Sequence, residues 1–244
     1  MTTTAEAIDK ILDAQRESSK PLAVILAGHN GSGKSTLWYM SLADSLQIPL
    51  INADRMMLSI LPEAGDNSRL PDWASRLRDE DQHWMKVAQN GVNAFTAQAM
   101  NFSLPFAMET VFSYWQENSD GTIFSKIDLI NDLQKNNYFV FLIFVGLSNA
   151  TLSAARVSTR YEAGGHNVAY DKLTSRFPRT QRAISEASKV VDASLFVDNS
   201  LDFEESFSIC RVEIGAEKIY DCRDVEEQLP PAAIREWLDI VKPI

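Results

Sequence analysis

Leu22 to Leu37 reads Leu-Ala-Val-Ile-Leu-Ala-Gly-His-Asn-Gly-Ser-Gly-Lys-Ser-Thr-Leu, and the fold follows from how that stretch changes character along its length. The unbroken aliphatic run Leu22 to Ala27 suits a parallel strand covered on both faces. Glycines follow at once, and Ser35 to Leu46 then resumes at helical spacing, so the stretch predicts a strand, a tight loop and a helix. Gly28, Gly33, Lys34 and Ser35 match a glycine, four free positions and Gly-Lys-Ser, with His29, Asn30, Gly31 and Ser32 between them.

This pattern has a chemical reason. A loop poor in β-carbons can turn its backbone N–H groups inward around a phosphate, at the positive end of the helix that follows. Gly28, Asn30, Gly31, Ser32, Gly33, Lys34, Ser35 and Thr36 are therefore the expected nucleotide-binding residues. Lys34 supplies a mobile cation to the β- and γ-phosphates, and the Ser35 hydroxyl is a hard oxygen ligand for Mg²⁺, which makes ATP and Mg²⁺ the expected cofactors. His29 is expected to contribute only its backbone. A Gly/Ser turn that binds nothing is the alternative, and the flanking strand and helix argue against it.

Outward from the loop, short apolar runs recur at Ile48 to Ile51, Pro105 to Met108, Tyr138 to Val145 and Ser194 to Val197, alternating with helical patterns at Asp81 to Ala99 and Asn149 to Tyr161. Such alternation implies a parallel sheet with chemistry at the carboxyl ends of its strands. The predicted fold is α/β: a three-layer P-loop NTPase fold with a mostly parallel five-stranded sheet and helices on both faces, plus a C-terminal β-hairpin and helix. Phe207 to Ile214 and Glu217 to Tyr220 flank Gly215 and Ala216 as that hairpin, and Ala232 to Val241 is the helix. One domain over 1–244 is expected, with an N-terminal helix in 1–20, a lid-like Arg-rich helical segment in 150–190 and the hairpin and helix in 203–244. Met56 to Arg78, with Pro62, Gly65 and Pro71, reads as a loop with short helical pieces.

Composition narrows the function. The chain has 244 residues, 45% of them hydrophobic and 23% charged, as an ordinary packed domain requires. Its formal net charge of −10 argues against a nucleic-acid partner, whose backbone is bound mainly by Lys and Arg. Met1 to Glu6 lacks the basic start and apolar run of a signal peptide, and the longest apolar run is too short to span a bilayer. No membrane association and a cytoplasmic location are therefore expected. Cys210 and Cys222 lack metal-ligand spacing and read as reduced thiols.

Phosphate binding does not by itself define a reaction, so the acceptor side must. Asp54 follows the second apolar run, where its carboxylate would accept a hydroxyl proton or serve as a helix N-cap ahead of Arg55. Glu109, with Thr110 beside it, closes the third run as an acceptor-binding group or as a buried structural carboxylate. Arg156 and Arg160 share one helix face, Gly164-Gly165-His166 follows, and Lys172, Arg176, Arg179 and Arg182 come next. That concentration of cations suits a lid closing on a transferred phosphate, with a solvated charged helix as the alternative reading for Arg179 and Arg182.

Taken in order, Ala27 to Leu37, Asn52 to Arg55, Glu109 to Ser113, Arg156 to Val168, Arg176 to Thr180 and Val197 to Ser200 resemble the zeta toxin family of P-loop phosphotransferases. The resemblance implies a parallel sheet in kinase order and ATP-dependent transfer to the 3′-hydroxyl of UDP-N-acetylglucosamine or a related UDP-sugar. It implies Asp54 as the acceptor-activating aspartate, Glu109 as the acceptor-binding glutamate, and Arg160 and Arg176 as catalytic partners of Lys34 at the phosphate. It also implies a small antitoxin as a protein partner, and Met1 to Lys20 is positioned in sequence to pack over the nucleotide site. Val111, Ala169 and Ala183 depart from the residues common in relatives, and Val111 lacks a hydroxyl at the acceptor side. A kinase for another small metabolite or antibiotic and a nucleotide-dependent protein-binding module are the competing functions.

Overall fold

The computed structural model describes residues 3–63, 70–121, 123–162, 168–202, 206–225 and 229–244. The Gly164-Gly165-His166 stretch, Gly65, Met1, Thr2 and parts of the C-terminal segment (203–205 and 226–228) lie outside the described residues.

Strand β1 (Leu22–Gly28) is buried along its whole length and pairs in parallel with β3 (Phe106–Thr110) on one side and β6 (Phe139–Gly146) on the other. Strand β2 (Leu50–Ile51) extends the sheet from β3, and β7 (Ala193–Asp198) extends it from β6, both in parallel. β8 (Ser208–Ile214) and β9 (Glu217–Asp221) then add antiparallel to β7, giving the order β2-β3-β1-β6-β7-β8-β9. The C-terminal hairpin therefore forms one edge of a seven-stranded sheet rather than an appendage. A separate ribbon pairs β4 (Trp115–Glu117) with β5 (Ile123–Ser125). These strands are three residues each, too short for their alternation to register in the sequence.

Side chains alternate across the sheet, so β1 supplies both cores. Ala23, Ile25 and Ala27 join one cluster; Leu22, Val24 and Leu26 join the other. The first cluster is closed by α6 (Gln82–Asn101), α7 (Ile127–Lys135), α9 (Tyr170–Ala187) and α10 (Ala232–Val241), through residues such as Val92, Ile130, Ile184 and Trp237. The second is closed by α1 (Thr4–Ser18) and by the continuous helical run of α2 (Lys34–Leu37), a π-turn (Trp38–Leu42) and α3 (Ala43–Leu46). Short α4 (Ala53–Leu58) follows β2, α5 (Asp72–Glu80) precedes α6, and α8 (Ala150–Glu162) follows β6.

Two expectations change here. Helix α1 starts in a capping box, where Thr3 and Glu6 satisfy each other's backbone N–H, and it buries Ala7, Ile8, Ile11 and Leu12 against the sheet. It is a core layer rather than a removable cover on the nucleotide loop. Helix α5 occupies part of the stretch read as loop. Its buried positions, four apart, are Ala74 and Arg78, so no aliphatic periodicity announces it.

The ends of β6 and β7 are locked by α10. Trp237 is fully buried and its indole N–H donates to Asp198 Oδ1 at 2.9 Å, while Asp198 also accepts the backbone N–H and hydroxyl of Ser200. A β-carbon at Gly146 would stand 2.6 Å from the Trp237 ring, so only glycine lets α10 seat this closely. Gly146→Ala is predicted to destabilise the fold by about 1–3 kcal/mol through overpacking. Urea denaturation checks this, and an unchanged midpoint would show that α10 can shift at no cost.

Candidate functional site

The glycine-rich loop bends where only glycine is comfortable. Gly31 and Gly33 have φ of 71° and 91°, and a β-carbon on Gly33 would lie 2.5 Å from Asn199 Nδ2. That amide donates to Ser32 O at 2.9 Å, and Arg156 Nη1 donates to Asn199 O at 2.6 Å. Ser153 Oγ donates to Asn30 O at 2.7 Å, so α8 and the end of β7 hold the loop's outer side.

Inside the loop, Lys34 Nζ donates to Gly28 O at 3.2 Å and His29 O at 2.9 Å. Burial pushes the Lys34 pKa down; Glu109 counters this, Arg160 adds to it and Asp54 counters it. The ammonium is thus held by neutral carbonyls, and among the described residues it has no bonded anion. The Ser32 hydroxyl is also buried with no hydrogen-bond partner among the described residues. Orphaned donors around a glycine turn at the start of a long helical run fit a polyphosphate. Thr36 lies exposed in the first turn of α2, next to Ser35.

The carboxylates come from the neighbouring strand ends. Ser35 Oγ donates to Glu109, 3.0 Å from each carboxylate oxygen, and Asn52 Nδ2 donates to Glu109 Oε2 at 2.8 Å. Asn52 Oδ1 accepts from the backbone N–H groups of Asp54 and Arg55, which makes Asn52, not Asp54, the N-cap of α4. The capping alternative for Asp54 is thereby taken by its neighbour, and the exposed Asp54 side chain faces a cleft of about 180 Å³. Lys34, Asp54, Glu109, Thr110 and Arg160 line that cleft together, with Val111 and Lys126. A metal at Ser35 would meet the Ser35 hydroxyl directly and have the Glu109 carboxylate beside it, a hard-oxygen setting that fits Mg²⁺.

Arg176 is placed differently. It lines an adjacent cleft with Asp79, Glu80, Tyr161 and Lys172, half-buried. Burial and then Arg179 lower its pKa, while Asp54 acts in the opposite direction, so Arg176 lies within electrostatic reach of the first cleft. Arg179 bonds back to Ser175 O, and Arg182 sits over the Trp115 ring, 4.6 Å from guanidinium carbon to centroid.

Sequence reasoning missed several groups. His29 is 2% exposed and its ring stacks on Phe177 of α9, with centroids 3.7 Å apart and planes 10° apart. Rather than contributing backbone alone, it joins the loop to the helix that carries Arg176. Asn52, Arg156 and Asn199 stand in motifs already noted, but their hydrogen bonds join segments far apart in sequence. Lys126 precedes α7 and donates to Thr110 Oγ1, which also accepts the Phe112 N–H at 3.2 Å. No local pattern marks a lysine just after a short strand as part of a site.

Comparison with known proteins places this geometry. The family model described as zeta toxin matches residues 7–218. An uncharacterized protein of Haemophilus influenzae is 28% identical over 155 residues, covering 64% of this chain and 91% of that protein. The PezAT chromosomal toxin-antitoxin system of Streptococcus pneumoniae includes a chain that matches 98% of this one and 88% of its own length, with 14% identity and a TM-score of 0.54. The native AvrRxo1-ORF1:-ORF2 complex matches over 96% of this chain and 71% of its own, with 15% identity and a TM-score of 0.60. The same complex with ATP covers 92% and 71%, also at 15% identity, with a TM-score of 0.57. These structural likenesses show a shared α/β fold of the P-loop kind.

The stacked His29 gives a pH prediction. Burial, then the Lys34 charge, lowers its pKa from 6.5 to about 3. Between those values the unfolded chain binds a proton that the folded chain refuses, so stability falls as the pH drops from 6.5 toward 3. His29→Phe keeps an aromatic ring on Phe177 and removes that proton. From pH 6.5 to 5, the wild type should lose about 1.5 kcal/mol more stability than the variant. Parallel denaturation curves for the two proteins would contradict the buried neutral imidazole.

Proposed function

The chain belongs to the zeta toxin family, and on that premise we propose that it is an ATP-dependent kinase transferring the γ-phosphate to a hydroxyl of a UDP-sugar such as UDP-N-acetylglucosamine. The observation that supports this most directly is the meeting of Asp54, Glu109 and Arg160 with Lys34 in one cleft. A phosphate-binding module that performs no transfer has no use for a free carboxylate facing the lysine that grips the phosphates.

In this reading the loop from Gly28 to Thr36 holds the triphosphate, and Lys34 leaves its carbonyl partners for the β- and γ-phosphates. Mg²⁺ bound at Ser35 would neutralise charge between those phosphates. Asp54, with no hydrogen bond committing its carboxylate to α4, takes the proton of the attacking hydroxyl. Glu109, fixed by Ser35 and Asn52, and Thr110 orient the acceptor. Arg160 spreads charge on the transferred phosphoryl, and Arg176 joins it from α9 as the Arg-rich segment closes. Val111 presents an apolar side chain to the cleft, so polar recognition of the acceptor falls to its neighbours. The PezAT likeness supports a further proposal, that a small antitoxin protein binds this chain. A kinase acting on another metabolite or an antibiotic shares the same cleft and differs only in acceptor.

Asp54→Asn is expected to lower phosphate transfer by about two to four orders of magnitude, the usual range for a lost general base. ATP affinity, measured by calorimetry, should stay within a few-fold. Mass spectrometry of UDP-N-acetylglucosamine incubated with ATP and each protein reads the transfer. If the variant forms phosphorylated product at the wild-type rate, Asp54 has no part in the chemistry. A metabolite extract analysed for a gain of one phosphate identifies the acceptor if UDP-sugars give none.

A further inference from the structure

Cys210 and Cys222 carry no sequence motif, yet the C-terminal hairpin brings them together. β8 pairs antiparallel with β9 at Val212↔Tyr220 and Arg211↔Asp221. One step further out, that register sets Cys210 opposite Cys222, the first residue of the 3-10 turn Cys222–Asp224. Both thiols are buried in the core cluster that α10 closes, and they hydrogen-bond to each other. The Cys210 thiol has a second acceptor in Ser208 O at 3.5 Å.

Charged neighbours hold this pair in place. Arg211 Nη1 donates to Asp221 Oδ2 at 2.6 Å, and Arg223 donates to the same oxygen at 2.6 Å and to Asp239 of α10. Each cysteine therefore adjoins a residue fixed by an ion pair. Directly opposite residues of an antiparallel ladder have Cα atoms roughly 4.5–5.5 Å apart. A disulfide requires a Cα separation of roughly 4.4–6.8 Å, so a sulfur–sulfur bond fits this register without a backbone shift. A lone buried cysteine serves as a small apolar side chain. Two in sulfur contact, on one face of a paired ladder, also have the geometry of a cross-link.

We propose that Cys210 and Cys222 form a modification site, a dithiol that a hydroperoxide converts within one chain to a reversible disulfide. The two sulfurs take different parts. Cys222 is the more accessible, 8% exposed against 1% for Cys210. The hydrogen bond from Cys210, and also the Arg223 charge, lower the Cys222 pKa against burial and the Asp221 carboxylate; burial pushes the Cys210 thiol up. Cys222, as the thiolate, attacks one peroxide oxygen: an S–O bond forms, the O–O bond breaks, and the departing hydroxide takes up the proton that Cys222 released, giving water. Cys210 sulfur then attacks the Cys222 sulfenic acid; the S–S bond forms, and the S–O oxygen leaves as a second water with the Cys210 proton. Two thiols lose two electrons and two protons, and one peroxide becomes two waters. The site stands independently of the kinase reading.

The test uses the full chain, reduced, freed of reductant and exposed to hydrogen peroxide in native buffer, then alkylated with N-ethylmaleimide in denaturant. The chain has 2 cysteines, so the intact mass reads the outcome directly. The expected product is a monomer lighter by two hydrogens with no alkyl group, and dithiothreitol should restore both alkylatable thiols. Its urea midpoint should rise, because the cross-link fits the native register and restricts the unfolded chain. Cys210→Ala should leave a sulfenic acid on Cys222 that dimedone traps, and Cys222→Ala should react with peroxide about tenfold or more slowly. Serine replaces alanine if either variant unfolds, and the wild-type measurement needs no variant. Two alkylated thiols after peroxide, a disulfide between two chains, or a lowered urea midpoint overturns the proposal. A closure rate that rises in step with unfolding in dilute urea also overturns it, because the bond would then form only in opened chains. Equal dimedone labelling of the two variants overturns the assignment of Cys222 as the attacking sulfur.

Discussion

The Glu109 carboxylate holds the site together. It receives the Ser35 hydroxyl from the phosphate loop and the Asn52 amide from the start of α4, and it stands near the end of β3. Two elements that follow parallel strands, the loop and helix after β1 and α4 after β2, are thus referenced to one charged group on β3. Hydrogen bonds to a carboxylate are stronger than neutral ones, and two donors from different elements leave the group little freedom. Asn52 extends the link, because its carbonyl oxygen caps α4 while its amide holds Glu109. Asp54 therefore takes its place facing Lys34 as a consequence of where Glu109 sits.

The electrostatics of the cleft invert those of the molecule. A chain with a formal net charge of −10 brings Lys34, Lys126 and Arg160 to one cleft, with Arg176 close by. Burial lowers the pKa of both lysines, a sign that the protein does not fully compensate their charge. In a low-dielectric cleft, uncompensated cations attract anions more strongly than surface lysines do. The net negative charge of the chain disfavours polyanions in general, while the cations of the cleft oppose that locally.

Much of the frame was legible in the sequence, for physical reasons that differ by element. The runs that became β1, β3, β6 and β7 are nearly continuous and apolar, as strands buried on both faces must be. The phosphate loop was legible because its chemistry fixes residue types at fixed spacing. Asp54 and Glu109 could be singled out as candidates because each closes an apolar run, although only the structure shows that they share a cleft and that Asn52 takes the capping role. Helix α5 was hidden because a buried arginine fills one of its inward positions. His29 and Lys126 were hidden for another reason. The partner of Lys126 on β3 is 16 residues away and that of His29 on α9 more than a hundred, and no local pattern carries that information.

The segment after β3 shows how one hydroxyl can serve fold and site together. Phe112 is buried with φ of 61°, a backbone conformation that an aromatic residue rarely adopts. The Phe112 N–H is held by Thr110 Oγ1, and the Val111 carbonyl accepts the Thr180 hydroxyl from α9 at 3.3 Å. Thr110 therefore stabilises a sharp turn and at the same time fixes the ammonium of Lys126. The turn directs the chain away from the sheet into the β4–β5 ribbon, which returns at Lys126 beside the strand end it left. An excursion of this kind brings a cation to the cleft without interrupting the parallel sheet. Replacing Thr110 by valine, of similar shape but without the hydroxyl, would remove both functions at once, so the strained turn and the placement of Lys126 are physically one feature.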